Sequence, residues 1–298
     1  MIPDADVVAT VPFGPYETWY RVTGDLDSGL APLVVVHGGP GSGHDYLLSL
    51  SALARGGRPV IHYDQVGCGR STHLRERGPE FWTVGLFLEE FDNLLDRLGI
   101  GAYHLLGQSW GGMLAGEHAV RAPRGLRSLV ISNSPAAMDR WVAGTAALVH
   151  ALPAPEREAL ERAARGEAVE DARVAAATQA FYDRHVCRVV PNPPEVLASY
   201  EVVADDPTVY HAMNGPNEFT VEGTLRTWSL VERLGEIRAP TLVISGRFDE
   251  ATPEAVRPWV ERVAGARWEV FAASSHMPFI EEPERYRAVV AAFVAAHD

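Results

Sequence analysis

The stretch that most constrains the fold is Gly107-Gln108-Ser109-Trp110-Gly111, with a further glycine at Gly112. It follows a short apolar run, 103–106, and precedes a helical pattern, 113–122. A G-x-S-x-G sequence between a strand and a helix makes a turn so sharp that only small residues fit beside the serine. Such a turn strains the serine backbone and exposes its hydroxyl. Ser109 is therefore the candidate nucleophile, although the bare pattern also fits a glycine-rich turn with an incidental serine.

Strands and helices alternate along most of the chain. Segments 7–11 and 17–22 alternate apolar and polar residues, as half-buried antiparallel strands do. Most of the strand-like runs that follow precede a loop and a helical pattern, which is typical of a parallel sheet covered on both faces. These runs lie at 33–36, 59–63, 103–106, 129–131, 241–244 and 267–271. A helix is predicted over 45–54, after the first of them. The sequence predicts an α/β fold with a mostly parallel sheet and helices on both faces.

The alternation stops between residues 137 and 224. This stretch contains helical sequence at 155–165 and 168–184 and a proline-rich break at 191–194, without the pattern of a buried strand. We interpret it as a helical cap inserted after a sheet strand. The predicted domains are therefore a core, residues 1–136 and 225–298, and a cap, residues 137–224.

The composition limits the partners of the protein. A formal net charge of -13 over 298 residues disfavours nucleic acids and anionic membranes, which require a basic surface. No apolar run reaches the length of a membrane span, and the start of the chain lacks a signal-peptide pattern. Cys68 and Cys187 do not have the spacing of a zinc site or a disulfide framework. We therefore expect a cytoplasmic protein that binds no metal, nucleic acid or membrane.

Three residues with matching chemistry each follow a predicted strand. Ser109, Asp249 and His276 occur in that order, and ligands of an open parallel sheet bind beyond the carboxyl ends of its strands. A neutral imidazole can take the proton of a serine hydroxyl, and a carboxylate behind it orients the ring and stabilises the imidazolium. The order Ser, Asp, His is that of the α/β-hydrolase triad. The sequence thus predicts a catalytic triad.

Acyl transfer also needs backbone N–H groups aimed at the developing oxyanion. One donor is expected from Trp110, the residue after the nucleophile, and the second from the Gly38-Gly39 loop, where Gly39 is favoured. His37 begins this loop and is expected to hold it through its ring nitrogens rather than to take part in catalysis.

Several motifs together resemble one family. They are His37-Gly38-Gly39-Pro40-Gly41, Asp64-Gln65 with Gly67-Cys68-Gly69-Arg70-Ser71, Gly107-Gln108-Ser109-Trp110-Gly111-Gly112, and Gly246-Arg247-Phe248-Asp249-Glu250. Combined in this order, they resemble the proline iminopeptidase (prolyl aminopeptidase) family of α/β-hydrolases. The resemblance implies a core domain with a helical cap, a serine peptidase without metal or cofactor, and proline as the first residue of the substrate.

The resemblance also implies how a free amino terminus is bound. Members of the family hold the ammonium group with two carboxylates, one within a Gly-Pro-x-Glu-Phe stretch of the cap and one beside the triad aspartate. The matching residues are Glu218, within segment 215–219, and Glu250. The residues alone leave other readings open, since Glu218 also fits a solvated glutamate and Glu250 a residue at a helix N-terminus.

Taken together, these expectations describe a serine aminopeptidase acting through an acyl-enzyme. Its substrate would be a small peptide or amino-acid amide with a free N-terminus. The alternatives are an amino-acid amidase, which would use the same groups, and a carboxylesterase, which would not need the carboxylate pair. A ligand receptor on the same scaffold would bind without turnover.

Overall fold

The computed structural model describes residues 2–298, and its centre is a single eight-stranded sheet. The strands are β1 Val7–Phe13, β2 Tyr16–Thr23, β3 Leu33–Val36, β4 Val60–Asp64, β5 Tyr103–Gln108, β6 Leu126–Ser132, β7 Thr241–Gly246 and β8 Arg267–Phe271. Their order is β1-β2-β4-β3-β5-β6-β7-β8. Strand β2 pairs antiparallel with β1 and β4, and all other neighbours are parallel. The predicted mostly parallel sheet is confirmed.

The strand sequences explain this arrangement. The four residues of β3 are all buried, as expected for a strand covered on both faces. Val34 and Val36 belong to one hydrophobic cluster, and Leu33 and Val35 to a second, so successive side chains enter the cores on opposite faces of the sheet. Strand β1 lies at the edge of the sheet and exposes Val7, Val8, Thr10 and Pro12, of which only Thr10 is polar.

Helices cover both faces of the sheet. They are α1 Val84–Arg97, α2 Trp110–Val120, α3 Met138–His150, α4 Ala154–Ala164, α5 Asp171–His185, α6 Pro194–Asp205, α7 Thr208–Met213, α8 Pro253–Arg262, α9 Pro278–Glu281 and α10 Pro283–Ala295. Helix α1 buries Phe87, Phe91 and Leu94 at helical spacing, and Thr83 caps its start by accepting the Leu86 N–H. No helix within residues 2–298 has the length and apolarity required to cross a bilayer.

Two predicted helices differ in detail from the structure. Residues Asp45–Gly56 form 3-10 turns rather than an α-helix, and Leu47 and Leu50, three residues apart, are both buried on one side. Helix α2 begins at Trp110, three residues earlier than predicted, because the turn at Ser109 leads directly into the helix. Its first residues can lie this close to the sheet because two of them are glycines, Gly111 and Gly112.

Helices α3 to α7 lie between β6 and β7 in the chain, within the predicted cap. The division into a core, 1–136 and 225–298, and a cap, 137–224, stays a prediction. Helix α6 packs on the 3-10 turns that follow β3, and the Tyr46 N–H donates to Ser199 Oγ of α6 at 3.0 Å. Residues 137–224 therefore lie over the carboxyl ends of the parallel strands.

Candidate active site

The turn after β5 has the geometry predicted for a nucleophile elbow. Ser109 has φ 54° and ψ -123°, a conformation that residues with a side chain rarely adopt. A Cβ on Gly107 would lie 2.1 Å from the carbonyl oxygen of Gly111, and one on Gly111 would lie 2.2 Å from the Val36 carbonyl oxygen. Only glycine fits at these two positions, so this turn and its packing against β3 require both glycines.

The loops after β7 and β8 bring the predicted acid and base together. His276 Nδ1 donates to Asp249 Oδ1 at 2.7 Å, and both side chains are buried. Asp249 Oδ1 also accepts the Ala251 N–H at 2.8 Å. The proton on Nδ1 leaves Nε2 of His276 as the basic nitrogen, which is the tautomer that a general base for serine requires.

Ser109 and His276 line the same cavity, together with both predicted carboxylates. Within residues 2–298 no hydrogen bond joins the Ser109 hydroxyl to His276, whose Nε2 lies 3.7 Å from Glu250 Oε1. Catalytic hydrogen bonds are often long in substrate-free enzymes and shorten when substrate binds. The structure therefore places Ser109, Asp249 and His276 in one site, and within residues 2–298 the hydrogen bond between Ser109 and His276 is not formed.

The loop after β3 lies against the nucleophile. A Cβ on Gly38 would approach Ser109 Cβ to 3.0 Å, so the backbone of this loop is adjacent to the position of a bound carbonyl. The Gly38 N–H already donates to the Tyr46 hydroxyl at 2.6 Å. In the described part of the chain, the N–H groups of Gly39 and Trp110 have no hydrogen-bond partner. This difference supports Gly39, rather than Gly38, as the second oxyanion donor.

Two side chains hold this loop in place. Gln65 Nε2 donates to the His37 carbonyl oxygen at 3.0 Å, and Gln65 Oε1 accepts the Trp110 indole N–H at 2.8 Å. The Gln65 backbone N–H donates to His37 Nε2 at 3.0 Å, so the ring proton lies on Nδ1 and reaches the Gly38 carbonyl oxygen. Burial lowers the pKa of His37, which keeps the ring neutral. These contacts agree with the structural role expected for His37.

The two predicted ammonium-binding carboxylates line the triad cavity. Glu218 is half-buried, and its Oε1 accepts the Tyr210 hydroxyl at 2.7 Å. Glu250 is 1% exposed, and within residues 2–298 its Oε2 has no hydrogen-bond partner. Burial raises the pKa of Glu250 well above its ordinary value, and the charges of Glu218 and Asp249 raise it further. A cation placed here would relieve this unfavourable arrangement.

Burial also raises the pKa of Glu218, although its hydrogen bond from Tyr210 and the nearby His276 act in the opposite direction. The Glu218 carbonyl oxygen accepts the Trp141 indole N–H at 2.7 Å, which fixes this segment of residues 137–224 to α3. The Trp141 ring in turn meets the His276 ring at a centroid distance of 6.0 Å. The carboxylate and the base are therefore positioned through one shared tryptophan.

Cavities on two sides meet at Ser109. The first is small, and apolar side chains form most of its wall: Met113, Pro135, Met138, Trp141 and Leu225. The second, of about 70 Å³, lies between Ser109, His276, the two carboxylates and residues of α6. It shares Tyr200, Val203 and Tyr210 with a larger, mainly apolar cavity of about 500 Å³ beneath α5 and α6. A substrate carbonyl at Ser109 would thus have a narrow space on one side and a wide one on the other.

Some residues of the site were not indicated by the sequence patterns. Tyr46 bridges Gly38 and Gln108, because its hydroxyl accepts from the Gly38 N–H and donates to Gln108 Oε1 at 2.5 Å. Trp141 contacts the ring of His276 and Asn133 donates to Asp249, and no sequence pattern assigns a role to either residue. Their roles depend on contacts between residues that are distant in the sequence.

Comparison with known proteins decides the family. The profile of the α/β-hydrolase fold family matches residues 31–283. A proline iminopeptidase from Lactobacillus delbrueckii subsp. lactis is 34% identical over 290 residues, which cover 97% of this chain and 98% of that protein. The chain belongs to the proline iminopeptidase family of α/β-hydrolases.

Solved structures extend the similarity to this family. The crystal structure of VinJ is 52% identical, covers 99% of this chain and all of its own, and superposes with a TM-score of 0.96. The crystal structure of the proline iminopeptidase from Mycobacterium smegmatis is 49% identical and covers 98% of both chains, with a TM-score of 0.92. The predicted resemblance to proline iminopeptidases and the predicted α/β-hydrolase fold are confirmed.

Proposed function

We propose that this protein is a serine aminopeptidase that releases the N-terminal residue, proline, from small peptides. The observation that carries the proposal is the presence of Glu218 and Glu250 in the cavity that also holds Ser109 and His276. A general esterase has no use for two carboxylates beside its base, whereas a substrate ammonium group needs opposite charge when it leaves water. The choice of proline rests on the family to which the chain belongs.

In the proposed mechanism, Ser109 attacks the carbonyl carbon of the first residue while His276 Nε2 takes the hydroxyl proton. Asp249, hydrogen-bonded to Nδ1, holds the ring and stabilises the imidazolium. The oxyanion receives hydrogen bonds from the N–H groups of Gly39 and Trp110. His276 then protonates the leaving amine, and water hydrolyses the acyl-enzyme by the same route. None of these steps uses a metal or cofactor.

The carboxylates explain why only the first residue would be removed. An ammonium bound between Glu218 and Glu250 fixes the distance from the amino terminus to Ser109. An N-acylated or internal peptide would leave both carboxylates unpaired, and such mismatches are strongly rejected by buried polar sites. The small cavity beside Ser109, lined mostly by apolar residues, would receive the first side chain. The cavity of about 500 Å³ beneath α5 and α6 has the room for the leaving group.

The remaining elements of the proposal concern partners and location. The substrate is a small peptide or amino-acid amide, and the acidic surface of the protein is unsuited to nucleic acids and anionic membranes. Cys68 and Cys187 are both free and buried, which fits a reducing compartment such as the cytoplasm. We therefore place the protein there.

A panel of chromogenic amides of Pro, Ala, Leu and Phe, each with and without N-acetylation, tests the proposal. We expect turnover of the free-amine series, with proline preferred, and none of the acetylated series. Ser109→Ala should lower kcat by at least about a thousand-fold. Turnover of the acetylated amides would contradict the aminopeptidase assignment and favour a carboxylesterase, and turnover confined to unsubstituted amino-acid amides would favour an amidase.

Glu218→Gln tests the carboxylates directly. Its Oε1 can still accept from Tyr210, so the variant should fold, yet kcat/KM for a free-amine amide should fall by about 30-fold or more. Turnover of a neutral ester should change little. Glu222→Gln, an exposed position close by in the chain, is the matched control and should change neither. Equal losses on amide and ester would indicate a structural role for Glu218.

A further inference from the structure

The end of β6 carries a side chain that contacts both loops of the triad. Asn133 is fully buried, and its Nδ2 donates to Asp249 Oδ2 at 2.5 Å and to the Ser275 carbonyl oxygen at 3.2 Å. Ser275 directly precedes His276, so one amide group joins the loop of the acid to the loop of the base. The backbone N–H of Asn133 donates to the Ile244 carbonyl oxygen at 2.8 Å, which fixes Asn133 to β7.

The orientation of this amide follows from its neighbours. The Tyr286 hydroxyl donates to Ser132 Oγ at 2.9 Å, and the Ser132 hydroxyl donates to Asn133 Oδ1 at 2.7 Å. Because Asp249 Oδ2 and the Ser275 carbonyl oxygen can only accept, the end of the amide that faces them must be the NH₂ group, which leaves Oδ1 to accept from the Ser132 hydroxyl. A run of three donors, each buried, therefore ends on the catalytic carboxylate.

The hydrogen bonds of Asp249 divide between its two oxygens. Oδ1 serves His276 and the Ala251 N–H, whereas Oδ2 receives Asn133 and, at 3.4 Å, the Gly246 N–H. In the part of the chain that the structure describes, Asn133 is the only side chain that donates to Oδ2. A carboxylate held at both oxygens cannot rotate away from the imidazole.

The backbone also favours asparagine at this position. Asn133 has φ 53°, a left-handed conformation that asparagine, aspartate and glycine adopt more readily than other residues. The side chain reaches Asp249 from this conformation, at the end of a strand that lies beside β7 in the sheet. Both the backbone and the side chain of Asn133 are thus suited to one contact.

On the basis of the proposed function, we propose that Asn133 is a positioning residue, which acts as the hydrogen-bond donor that fixes Asp249 and the His276 loop relative to each other. It lines neither cavity at Ser109, so it acts on the reaction through Asp249 and not on the substrate. Its removal should therefore lower kcat and leave KM almost unchanged.

Asn133→Gly keeps the left-handed backbone and removes the donor. Since a hydrogen bond to a charged group is being lost, we expect kcat to fall about 10- to 100-fold, with KM within about two-fold.

Ser128→Ala is the matched control, since it removes a buried hydrogen bond, to His104, at the opposite end of β6. It should lower the melting temperature to a similar extent and leave kcat unchanged. The proposal is overturned if Asn133→Gly retains more than half of kcat, or if Ser128→Ala loses as much kcat as Asn133→Gly does.

A second readout separates this proposal from the substrate assignment. The rate at which a fluorophosphonate labels Ser109 depends on the triad but not on peptide recognition. Labelling should be about 10-fold slower or more in Asn133→Gly than in the wild type. Wild-type labelling without turnover of any amide would contradict the proposed function and leave this comparison valid, whereas equal labelling rates would overturn the role of Asn133.

Discussion

Glu250→Gln should make the protein more stable and less active. Glu250 is 1% exposed, its Oε2 has no hydrogen-bond partner within residues 2–298, and Asp249 and Glu218 add negative charge around it. Glutamine has the same shape and no charge. The variant therefore removes a group that the folded protein tolerates poorly, while it also removes half of the proposed ammonium site.

The size of the stability change follows from the burial of the group. Burying an unpaired charge costs several kcal/mol, whereas the glutamine amide would itself be an unsatisfied polar group that costs about 1–3 kcal/mol, so we expect a net gain of about 1–3 kcal/mol. For a chain of this length, a gain of that size corresponds to a rise in melting temperature of about 2–6 °C. The expected loss of activity is larger, because truncating one partner of a buried charge pair costs about 2–5 kcal/mol, or about 30- to 5,000-fold in kcat/KM.

The pH dependence of the stability gain has a defined sign. Burial and the neighbouring carboxylates raise the pKa of Glu250 in the folded protein above the ordinary 4.5. The folded state therefore binds this proton more tightly than the unfolded state, and wild-type stability falls as pH rises above 4.5 toward the folded pKa. The difference in melting temperature between Glu250→Gln and the wild type should be small near pH 4.5 and should grow toward about pH 8.

Thermal unfolding followed by circular dichroism across this pH range, with kcat/KM for a proline amide, checks both effects. Glu281→Gln is the matched control: Glu281 accepts from Ser275 Oγ, the Ser275 N–H and the Arg188 N–H, so this variant should lose stability. A lower melting temperature for Glu250→Gln at the higher pH would refute the reasoning, as would unchanged kcat/KM on the free-amine amide.

Two further predictions concern the surroundings of the site. Burial lowers the pKa of His73, but the 2.5 Å hydrogen bond to Asp206 outweighs this effect, and the net pKa is raised. The contact therefore stabilises the folded protein fully below about pH 6.5, and this stabilisation is lost as pH rises through the folded pKa. Asp206→Asn should therefore lower the melting temperature more at about pH 6 than at about pH 9, and an equal loss at both would contradict the assignment. Gln65→Leu should lower kcat about 10-fold on amides and esters alike, with KM unchanged, because it disconnects Trp110 from the loop of His37. A change confined to KM would contradict that role.

The sequence predicted those parts of the site that depend on local order. Ser109, Asp249 and His276 each follow a strand, and parallel strands that end at one edge bring such residues together whatever the details of packing. The turn at Ser109 was predictable for a similar reason, since Gly107 and Gly111 are required by contacts within a few residues or with the adjacent strand. The alternation of strands and helices was sufficient for the fold class.

Contacts between distant segments were not predictable in this way. Asn133 meets Asp249 across 116 positions of the sequence, because β6 and β7 are neighbours in the sheet although helices α3 to α7 lie between them in the chain. Tyr46 reaches Gln108 from 3-10 turns after β3, in a segment whose pattern indicated only a helix. Such roles require the strand order and the register, which no single segment contains.

The two carboxylates link the stability of the site to its selectivity. Glu250 has no hydrogen-bond partner for Oε2 within residues 2–298, and Glu218 has the hydroxyl of Tyr210. If these carboxylates bind an ammonium group, as proposed, the site cannot hold a cation of its own in the same place, and their charges stay uncompensated until substrate binds. A substrate with a free amine removes the repulsion between them, and an acylated substrate leaves it in place while excluding water. The repulsion that destabilises the unliganded site therefore also favours binding of the free-amine substrate over the acylated one. A neutral residue at position 250 should reduce both the destabilisation and this selectivity.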